Sequence, residues 1–368
     1  MSTIKTNAIL DASGGNTTTI NGTTPTAYNT MGKNRIINGA MEIDQRNAGS
    51  AVTATNTYPV DRFVIPFDND GTFSAQQDST VPVGFTKSLK FTVTSADSSL
   101  SSSQYALIRH NIEGYNVADL GWGTANAKTV TLSFWVRSSL TGTFGGALNN
   151  NAVDRSYPFT YTVSSANTWE HKTVTVVGDT SGTWLTTNGV GIRLHFGLGV
   201  GSTYSGTAGA WAGATYFTAT GATSVVGTNG ATFYITGVQL EVGETATPFE
   251  HRPYGTELAL CQRYYEKSYS IDVVPGTATA NGLIYMSTGN NVAGDKAVTA
   301  TFKVEKRTNP SISYWDSPGN ASRVDSGGTN RVGAINWQNT VSVNIRNNAG
   351  GGYGSADIGW HFVASAEL

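Results

Sequence analysis

The chain has 368 residues, of which 39% are hydrophobic and 13% are charged, and its formal net charge is −2. Neither sign of charge dominates, and the sequence shows no basic stripe of the kind typical of nucleic-acid-binding proteins, so no nucleic-acid partner is expected. Aromatic residues make up 10% of the chain. Disordered segments contain few of them, so we expect folded domains with aromatic and β-branched cores.

The first 33 residues are polar and rich in Gly, Thr and Asn. They are either a flexible tail or an arm that orders only against a partner or a sister chain. Apolar residues such as Ile4, Leu10 and Ile20 would be unusual in a spacer, and they favour the arm. The start, MSTIKTNAIL, lacks the apolar core of a signal peptide, and no run reaches the ~18 apolar residues of a membrane span. We therefore expect synthesis in a cytoplasm without an export signal.

Residues 34–253 show short apolar segments with period-2 alternation at hairpin spacing, which is typical of β-strands. Asn38-Gly39, between two short apolar runs, predicts a hairpin turn with a strand on either side, because both residues tolerate positive φ. With no convincing helix, this domain is predicted to be an antiparallel β-sandwich of the jelly-roll kind. Its further strands are predicted at 61–67, 88–94, 105–112, 130–137, 157–163, 170–177, 190–196 and 231–240.

The segment 197–230 is rich in Gly, Ala, Ser and Thr, and aromatic residues are interspersed in it. A segment this long and this poor in charge is unusual unless it binds or packs against something. We therefore treat its aromatic residues as candidates for a binding surface.

Residues 254–269 predict a short helix that links two β domains. On the 3.6-residue period, Leu258, Cys261 and Tyr265 share one apolar face. Residues 270–368 alternate again and predict a second, smaller β-sandwich. Its strands are predicted at 281–287, 296–304, 311–315, 333–337, 341–345 and 358–364.

Cys261 is the only cysteine. A nucleophilic cysteine needs a setting that favours the thiolate, whereas Cys261 falls on the packing face of the predicted helix. His251 lies ten residues away, and this spacing does not place it as a base for the thiol. We interpret the stretch as a structural joint.

Four blocks of the sequence resemble virion proteins of tailed bacteriophages, especially tail-fibre proteins of marine phages. They are MSTIKTNAILDASGGNTTT, then NRIINGAMEIDQRNAG followed by YPVDRF, then GVQLEVGETATPFEHRPYGTELALCQRYYEKSY, and finally GWHFVASAEL. The third block closes a carbohydrate-binding-module-like jelly roll in such proteins and leads into the next domain. The resemblance implies a β-rich homotrimeric fibre located on the virion.

The resemblance also implies partners. Residues 1–33 would attach to a tail adaptor or nozzle protein, or to a capsid protein. The distal domains would meet a host surface polysaccharide or an outer-membrane receptor. In a trimer, Leu258, Cys261 and Tyr265 would point inward near the axis. A capsid decoration protein or head fibre built from the same modules is an alternative.

Glycan binding predicts exposed aromatic rings, because the C–H faces of sugar rings stack on them, while packing within a sandwich or a trimer is the alternative for each ring. Trp122 lies between glycines, which is unusual for a core strand residue. Other candidates lie in the Gly-rich segment or beside turns of the second domain. The full set of glycan-binding candidates is Trp122, Tyr204, Trp211, Tyr216, Trp315, Trp337 and Tyr353.

No catalytic or metal motif stands out. Glycoside hydrolysis requires two carboxyl groups about 5 to 9 Å apart, and pairs such as Glu42 and Asp44 exist, but their flanking sequence does not distinguish them. The five histidines form no ligand motif, and the run 68–71 (DNDG) is typical of a turn, with a calcium loop as the alternative. We expect no enzyme activity, cofactor or metal. A polysaccharide-degrading tailspike remains the rival hypothesis.

Overall fold

The structure is a computed structural model that describes residues 32–287, 296–327, 329–347 and 357–368. These residues are mainly β, and their antiparallel sheets form sandwiches, so the predicted fold class is confirmed. The predicted attachment arm lies outside the described residues, except for its last two. Within the described ranges, no helix is long and apolar enough to cross a membrane.

The first unit is built from two antiparallel sheets. Its described strands are β1 (Thr57–Val60), β2 (Phe63–Ile65), β3 (Phe67–Asp68), β4 (Thr72–Asp78), β5 (Ser88–Ser95), β6 (Tyr105–Glu113), β7 (Val130–Ser138), β8 (Gly142–Asn149), β9 (Ser156–Val163), β10 (Glu170–Val176), β11 (Val190–Val200), β12 (Ser205–Gly206), β13 (Thr218–Ala219) and β14 (Thr232–Val242). The first sheet has the order β1-β2-β6-β11-β8-β9, with β3 also paired to β6, and the second has the order β10-β7-β14-β5-β4. The short strands β12 and β13 pair in parallel. Three 3-10 helices lie at Gly114–Asn116, Ala118–Leu120 and Ser202–Tyr204.

The core of this unit lies between its two sheets. Strand residues alternate between the faces, and on β6 Ala106, Ile108 and Ile112 belong to the core. Rings from the two sheets meet there, with Phe134 of β7 and Phe196 of β11 at 5.0 Å between centroids. Burying one such side chain stabilises the fold by about 1.5–3 kcal/mol. The alternation leaves the odd-numbered residues of β6 on the outer face of the first sheet.

The turn predicted at Asn38-Gly39 is present, but the strands predicted on either side of it are not. Asn38 has a φ of 61°, and its side-chain amide donates to the carbonyls of Ile43 and Asp61 at 2.8 and 2.9 Å. The backbone N–H of Ile43 donates back to Asn38 Oδ1 at 2.9 Å. A buried side chain thus satisfies backbone groups that a strand ladder would otherwise satisfy.

The second unit is organised around its last strand. Its described strands are β15 (Tyr265–Lys267), β16 (Ile284–Ser287), β17 (Ala297–Thr301), β18 (Ser311–Trp315), β19 (Arg323–Ser326), β20 (Thr329–Gln338), β21 (Ser342–Asn347) and β22 (Asp357–Ser365). β22 pairs with β15, β16, β18 and β19, and β20, β21 and β17 continue the sheet. Val324, Ile345 and Trp360 lie in its core.

The helix between the units is shorter than predicted. This helix, α1, spans Tyr254–Gln262, and Tyr265 begins β15 instead of continuing the helix. Tyr265 is paired with Ser365 and Lys267 with Val363. Backbone pairing with a strand about a hundred residues away therefore overrides the local helical pattern.

Charged groups near the end of the chain connect the two units. Glu367 accepts hydrogen bonds from Arg46, at 2.6 Å, and from Arg62. Arg46 also pairs with Asp61 at 2.8 Å, and its guanidinium carbon lies 3.7 Å from the ring centroid of Tyr265. These contacts place the second unit against the end of the first sheet.

Candidate functional site

The Gly-rich segment packs on the outer face of the first sheet. Asn149 Nδ2 of β8 donates to the carbonyl of Tyr216 at 3.0 Å, and the N–H of Gly209 donates to the carbonyl of Pro158 in β9 at 2.9 Å. The strand pair β12–β13 lies directly over Gly145 of β8 and Gly197 of β11. A Cβ at either glycine would collide with Thr218 of β13. The segment therefore covers β8, β9 and part of β11. On the β6 side, Asn111 and Glu113 are buried as well, while Arg109 and Arg193 keep part of their surface exposed.

Between these covered regions, the face has a half-buried arginine from each of two paired strands. Arg109 is in register with His195, and Arg193 is in register with Asn111, within one uninterrupted stretch of β6–β11 pairing. Because the neighbouring Ile108 belongs to the core, Arg109 points outward. The same alternation on β11 turns Arg193 and His195 outward as well.

Neither arginine forms an ion pair among the described residues. The pKa of Arg109 is lowered by burial, while the hydroxyls of Tyr58 and Tyr105 raise it in part. The pKa of Arg193 is lowered by burial and by the positive charge of Arg109. We call Tyr58, Tyr105, Arg109, Arg193 and His195 the arginine face. It is a partly buried cationic surface with two tyrosines beside it.

Aromatic rings form one edge of the arginine face. Tyr105 lies 5.9 Å from Tyr204 and 5.5 Å from Phe217, both edge to face. Tyr204 and Phe217 are 4.9 Å apart, and Phe217 also lies 5.1 Å from the His195 ring. The candidate Tyr204 is thus brought to the edge of the cationic surface, and it is half-buried there.

Several buried polar atoms on this face have no hydrogen-bond partner among the described residues. His195 is 1% exposed, and both its ring nitrogens lack a partner. Burial lowers the pKa of His195 well below 6.5, and Arg109 and Arg193 lower it further, so the ring is neutral at neutral pH. The other such atoms of the same face are Arg109 Nε, Asn111 Oδ1, Asn149 Oδ1, Arg193 Nε and Thr218 Oγ1. Buried polar groups normally find partners, so this concentration marks the face as a candidate binding surface.

The tryptophan candidates of the first unit form a separate cluster. Trp122, Trp184 and Trp211 meet edge to face at 4.7 to 5.4 Å, and Tyr157 lies 5.2 Å from Trp211. The exposure inferred for Trp122 from its glycine neighbours is wrong. Trp122 is 7% exposed, and its indole N–H donates to the carbonyl of Lys128 at 2.8 Å. The cluster closes one end of the core, while Trp184 and Trp211 keep part of their surface exposed.

The candidates of the second unit have different settings. Trp337 on β20 is 43% exposed and lies in register with Asn344, whose Nδ2 donates to Thr299 Oγ1 at 2.9 Å. Trp315 is half-buried at 6.2 Å from the ring of Tyr269. Tyr353 lies outside the described residues. Trp337 is therefore the candidate of this unit that presents an open ring beside amide and hydroxyl groups.

Two of the three residues proposed for a trimer axis are covered by their own chain. Cys261 is fully buried beside Ile37 and Tyr264, and burial raises the pKa of its thiol well above 9.0, so it is not an activated nucleophile. Tyr265 is a buried strand residue beneath Arg46. Of the three, only Leu258 keeps part of its surface exposed. The prediction that Cys261 and Tyr265 face a trimer axis is therefore wrong, because both are buried within their own chain.

A cleft of about 730 Å³ lies between residues 32–37, the first 3-10 helix and the start of α1. Its charged groups are already paired. Arg35 binds Asp119 at 2.9 Å, and Glu250 accepts the N–H groups of Gly32 and Asn34 at 2.6 and 2.9 Å. Because its charges are satisfied internally, this cleft is a weaker candidate than the arginine face.

The carboxylates considered for hydrolysis have structural roles. Both oxygens of Asp44 accept backbone N–H groups of the following turn, including that of Gly49 at 2.7 Å, and Glu42 accepts the hydroxyl of Thr86 at 3.1 Å. The run 68–71 ends β3 and then bends toward β4, and Asn69 Oδ1 accepts the N–H of Gly71 in this bend. Across the described residues, no group of three His, Cys, Asp or Glu could hold a metal ion.

The chain is thus a mainly β protein whose first unit carries an aromatic and cationic sheet face. No protein-family model and no curated protein sequence matches it. Weakly similar solved structures include the enzymatically active domain of tailspike protein 4 from bacteriophage CBA120, at 11% identity, over 57% of this chain and 21% of that one, with a TM-score of 0.30. The chain therefore spans about a fifth of the tailspike structure.

Carbohydrate-binding modules are also among the weakly similar structures. A family 11 module from Clostridium thermocellum, in complex with a β-1,3-1,4-mixed-linked tetrasaccharide, has 10% identity over 55% of this chain and 98% of its own, with a TM-score of 0.28. A family 61 module in complex with β-1,4-galactotriose has 9% identity over 57% of this chain and 99% of its own, with a TM-score of 0.27. Similarity this weak identifies neither a family nor a ligand.

Sequence reasoning missed Arg109, Arg193 and His195. The alternation YALIRHNI and VGIRLHF placed each on the polar side of a predicted strand. This local pattern does not indicate that the two strands, about eighty residues apart in the sequence, are neighbours in the sheet.

Proposed function

We propose that this protein is a non-enzymatic virion fibre protein of a tailed phage that binds a host-surface glycan through the arginine face and its aromatic edge. The four sequence blocks that resemble tail-fibre proteins motivate the virion role. The binding role is assigned to the arginine face, because it combines aromatic rings for stacking with guanidinium and hydroxyl groups for the sugar hydroxyls.

The observation that carries the proposal is the position of Tyr204 and Tyr105 beside Arg109. Glycan sites combine an apolar ring with a few precisely placed polar groups. Here the rings lie beside Arg109, whose Nε has no hydrogen-bond partner among the described residues. A face that served only for packing would have its polar atoms paired internally.

Binding is tested with the full chain on a glycan array, followed by calorimetry on the glycans that bind. Tyr204→Ala should weaken binding about tenfold, because buried aromatic anchors dominate such interfaces. Tyr115→Ala is the matched control, since Tyr115 is exposed outside the face. Equal affinities of the two variants, at unchanged melting temperatures, would reject this face as the site.

The virion and assembly parts of the proposal have their own tests. Size-exclusion chromatography with light scattering should give a trimer, and antibodies should label virions at the tail. Labelling of the head would favour the decoration or head-fibre alternative. Release of oligosaccharides from host polysaccharide by the purified chain would overturn the non-enzymatic assignment in favour of a tailspike enzyme.

A further inference from the structure

We infer that Arg109 and Arg193 together hold the anionic substituent, a carboxylate or a sulfate ester, of an acidic sugar. This inference rests on the proposed glycan-binding function and names the class of glycan. Nothing in composition or net charge points to it, since the chain as a whole is nearly neutral.

The two arginines are placed to act on one group. Arg109 is paired with His195, and Arg193 lies two residues from His195 on the same strand, so the arginines are diagonal neighbours on one face. Diagonal neighbours on paired antiparallel strands lie about 7–8 Å apart, which is within reach of long side chains. Two guanidinium groups can therefore approach a single oxyanion from different sides.

Two carboxylates near this side of the first sheet are already engaged. Glu113, also on β6, accepts two hydrogen bonds from Arg263, at 2.6 and 2.8 Å. Glu367 is bound by Arg46 and Arg62. Asn111 Nδ2 donates to an oxygen of the last residue, Leu368, at 2.8 Å, so this amide is also occupied. Within the described part of the chain, no carboxylate forms an ion pair with either arginine.

An unpaired cationic pair in a partly buried site is unfavourable without an anion. Each guanidinium loses hydration, and the like charges repel each other. Arg193 Nη2 is within hydrogen-bond distance of the Asn151 carbonyl and side-chain oxygen, at 3.2 and 3.3 Å, which orients it without neutralising it. An oxyanion would supply both the missing acceptors and the missing charge, and the planar fork of arginine suits carboxylate and sulfate.

The aromatic edge distinguishes a sugar from a free inorganic anion. Tyr105 contacts Tyr204 and Phe217, and it is close enough to Arg109 to raise the pKa of that guanidinium. A ring surface is therefore continuous with the cationic pair. A free phosphate or sulfate would use the arginines and leave this surface unused. A sugar ring with an acidic substituent would use both.

Calorimetry with three oligosaccharides of equal length tests the inference on the full chain: an oligogalacturonate, a sulfated galactan fragment and its neutral galactan counterpart. At least one acidic ligand should bind about tenfold or more tightly than the neutral one, because hydrogen bonds to charged groups are the stronger kind. The preference should weaken as salt is added. Inorganic sulfate serves as the probe for an ion without a sugar.

Arg109→Gln, Arg193→Gln and the double variant should each weaken binding of the acidic ligand more than binding of the neutral one, and so reduce the preference for the acidic ligand. Arg323→Gln, an exposed arginine of the second unit, removes the same charge and should leave the preference intact. Melting temperatures of all variants are measured to exclude unfolding. Arg109→Lys keeps the charge but loses the planar guanidinium, so its preference for the acidic ligand should lie between those of wild type and Arg109→Gln.

A preference that persists in the double variant would overturn the inference. Binding of acidic and neutral oligosaccharides with equal affinity would also overturn it, while glycan binding itself would stand. Arginine-dependent binding of sulfate without binding of any oligosaccharide would overturn the sugar assignment and the proposed function, while the anion site would stand.

Discussion

Glu113 on β6 and Arg263, one residue past α1, form a two-fold hydrogen-bonded ion pair that joins the first β unit to the second. Arg263 Nε lies 2.8 Å from one carboxylate oxygen of Glu113, and Nη2 lies 2.6 Å from the other. The hydroxyl of Tyr264 donates to the same carboxylate at 2.6 Å. Glu113 is 1% exposed, so the pair is shielded from water on one side.

Removing this charge should weaken the junction between the units. Glu113→Gln keeps the side-chain shape but leaves the guanidinium of Arg263 without its counter-charge, and we expect a loss of about 3 kcal/mol. Thermal unfolding should then separate into two transitions. Glu305→Gln, at an exposed position, is the control and should change stability by less than about 0.5 kcal/mol. A single transition at the wild-type temperature would contradict the prediction.

A second ion pair is fully enclosed within the second unit. Lys306 Nζ lies 2.7 Å from Glu266 Oε2, with side-chain exposures of 0% and 1%. Lys306→Met leaves a buried carboxylate without its counter-charge, and we expect a loss of about 3–5 kcal/mol. The double variant Lys306→Met/Glu266→Gln should lose less than the sum of the single variants, as measured by urea unfolding. Additive losses would show that the two groups do not interact.

Asn38 should contribute more to stability than its place in a loop indicates. Its side chain makes three buried hydrogen bonds, each worth about 1 kcal/mol, so Asn38→Ala should lose about 3 kcal/mol from these bonds in addition to the backbone strain of an alanine at positive φ. Asn56 shares the positive φ, 58°, but is exposed. Asn56→Ala should therefore cost only the backbone strain, about 1–2 kcal/mol. Equal losses in urea unfolding would assign the whole effect to backbone conformation.

Lys267 should make stability depend on pH in the alkaline range. Burial lowers its pKa from 10.5 to about 8, against the opposing effects of Asp44, Asp61 and Asp272. Between pH 8 and pH 10.5 the unfolded chain therefore binds more protons at this position than the folded chain. Stability contributed by this group should rise with pH across that window and stay constant below pH 8.

The test compares wild type with Lys267→Met by urea unfolding at several pH values from 7 to 10.5. The difference in unfolding free energy between them should change across the window, because other titrating groups cancel in the comparison. The Nζ donates to the carbonyls of Ile271 and Val273 at 3.0 and 2.6 Å, so the variant also loses these bonds at pH 7. A difference that is constant with pH would show that Lys267 keeps an ordinary pKa.

The sequence by itself determined most strands, because side-chain alternation is a local property. The predicted strand at 88–94 is observed as Ser88–Ser95, and that at 130–137 as Val130–Ser138. The turn at Asn38 followed from the tolerance of Asn for positive φ, whereas Gly39 is needed because a Cβ there would lie 2.2 Å from the carbonyl oxygen of Val238. These features depend on a few neighbouring residues, and the fold class follows from their number and spacing.

Only the tertiary structure decided which strands are neighbours and what lies on each face. Arg109 and Arg193 form a pair because β6 and β11 are in register, and this pairing depends on packing across the whole sandwich. Trp122 is buried because Trp184 and Trp211, distant in sequence, close over it. Tyr265 joins a strand instead of a helix because its partner is the last strand of the chain. In each case the deciding contact lies far away in the sequence, where local periodicity carries no information.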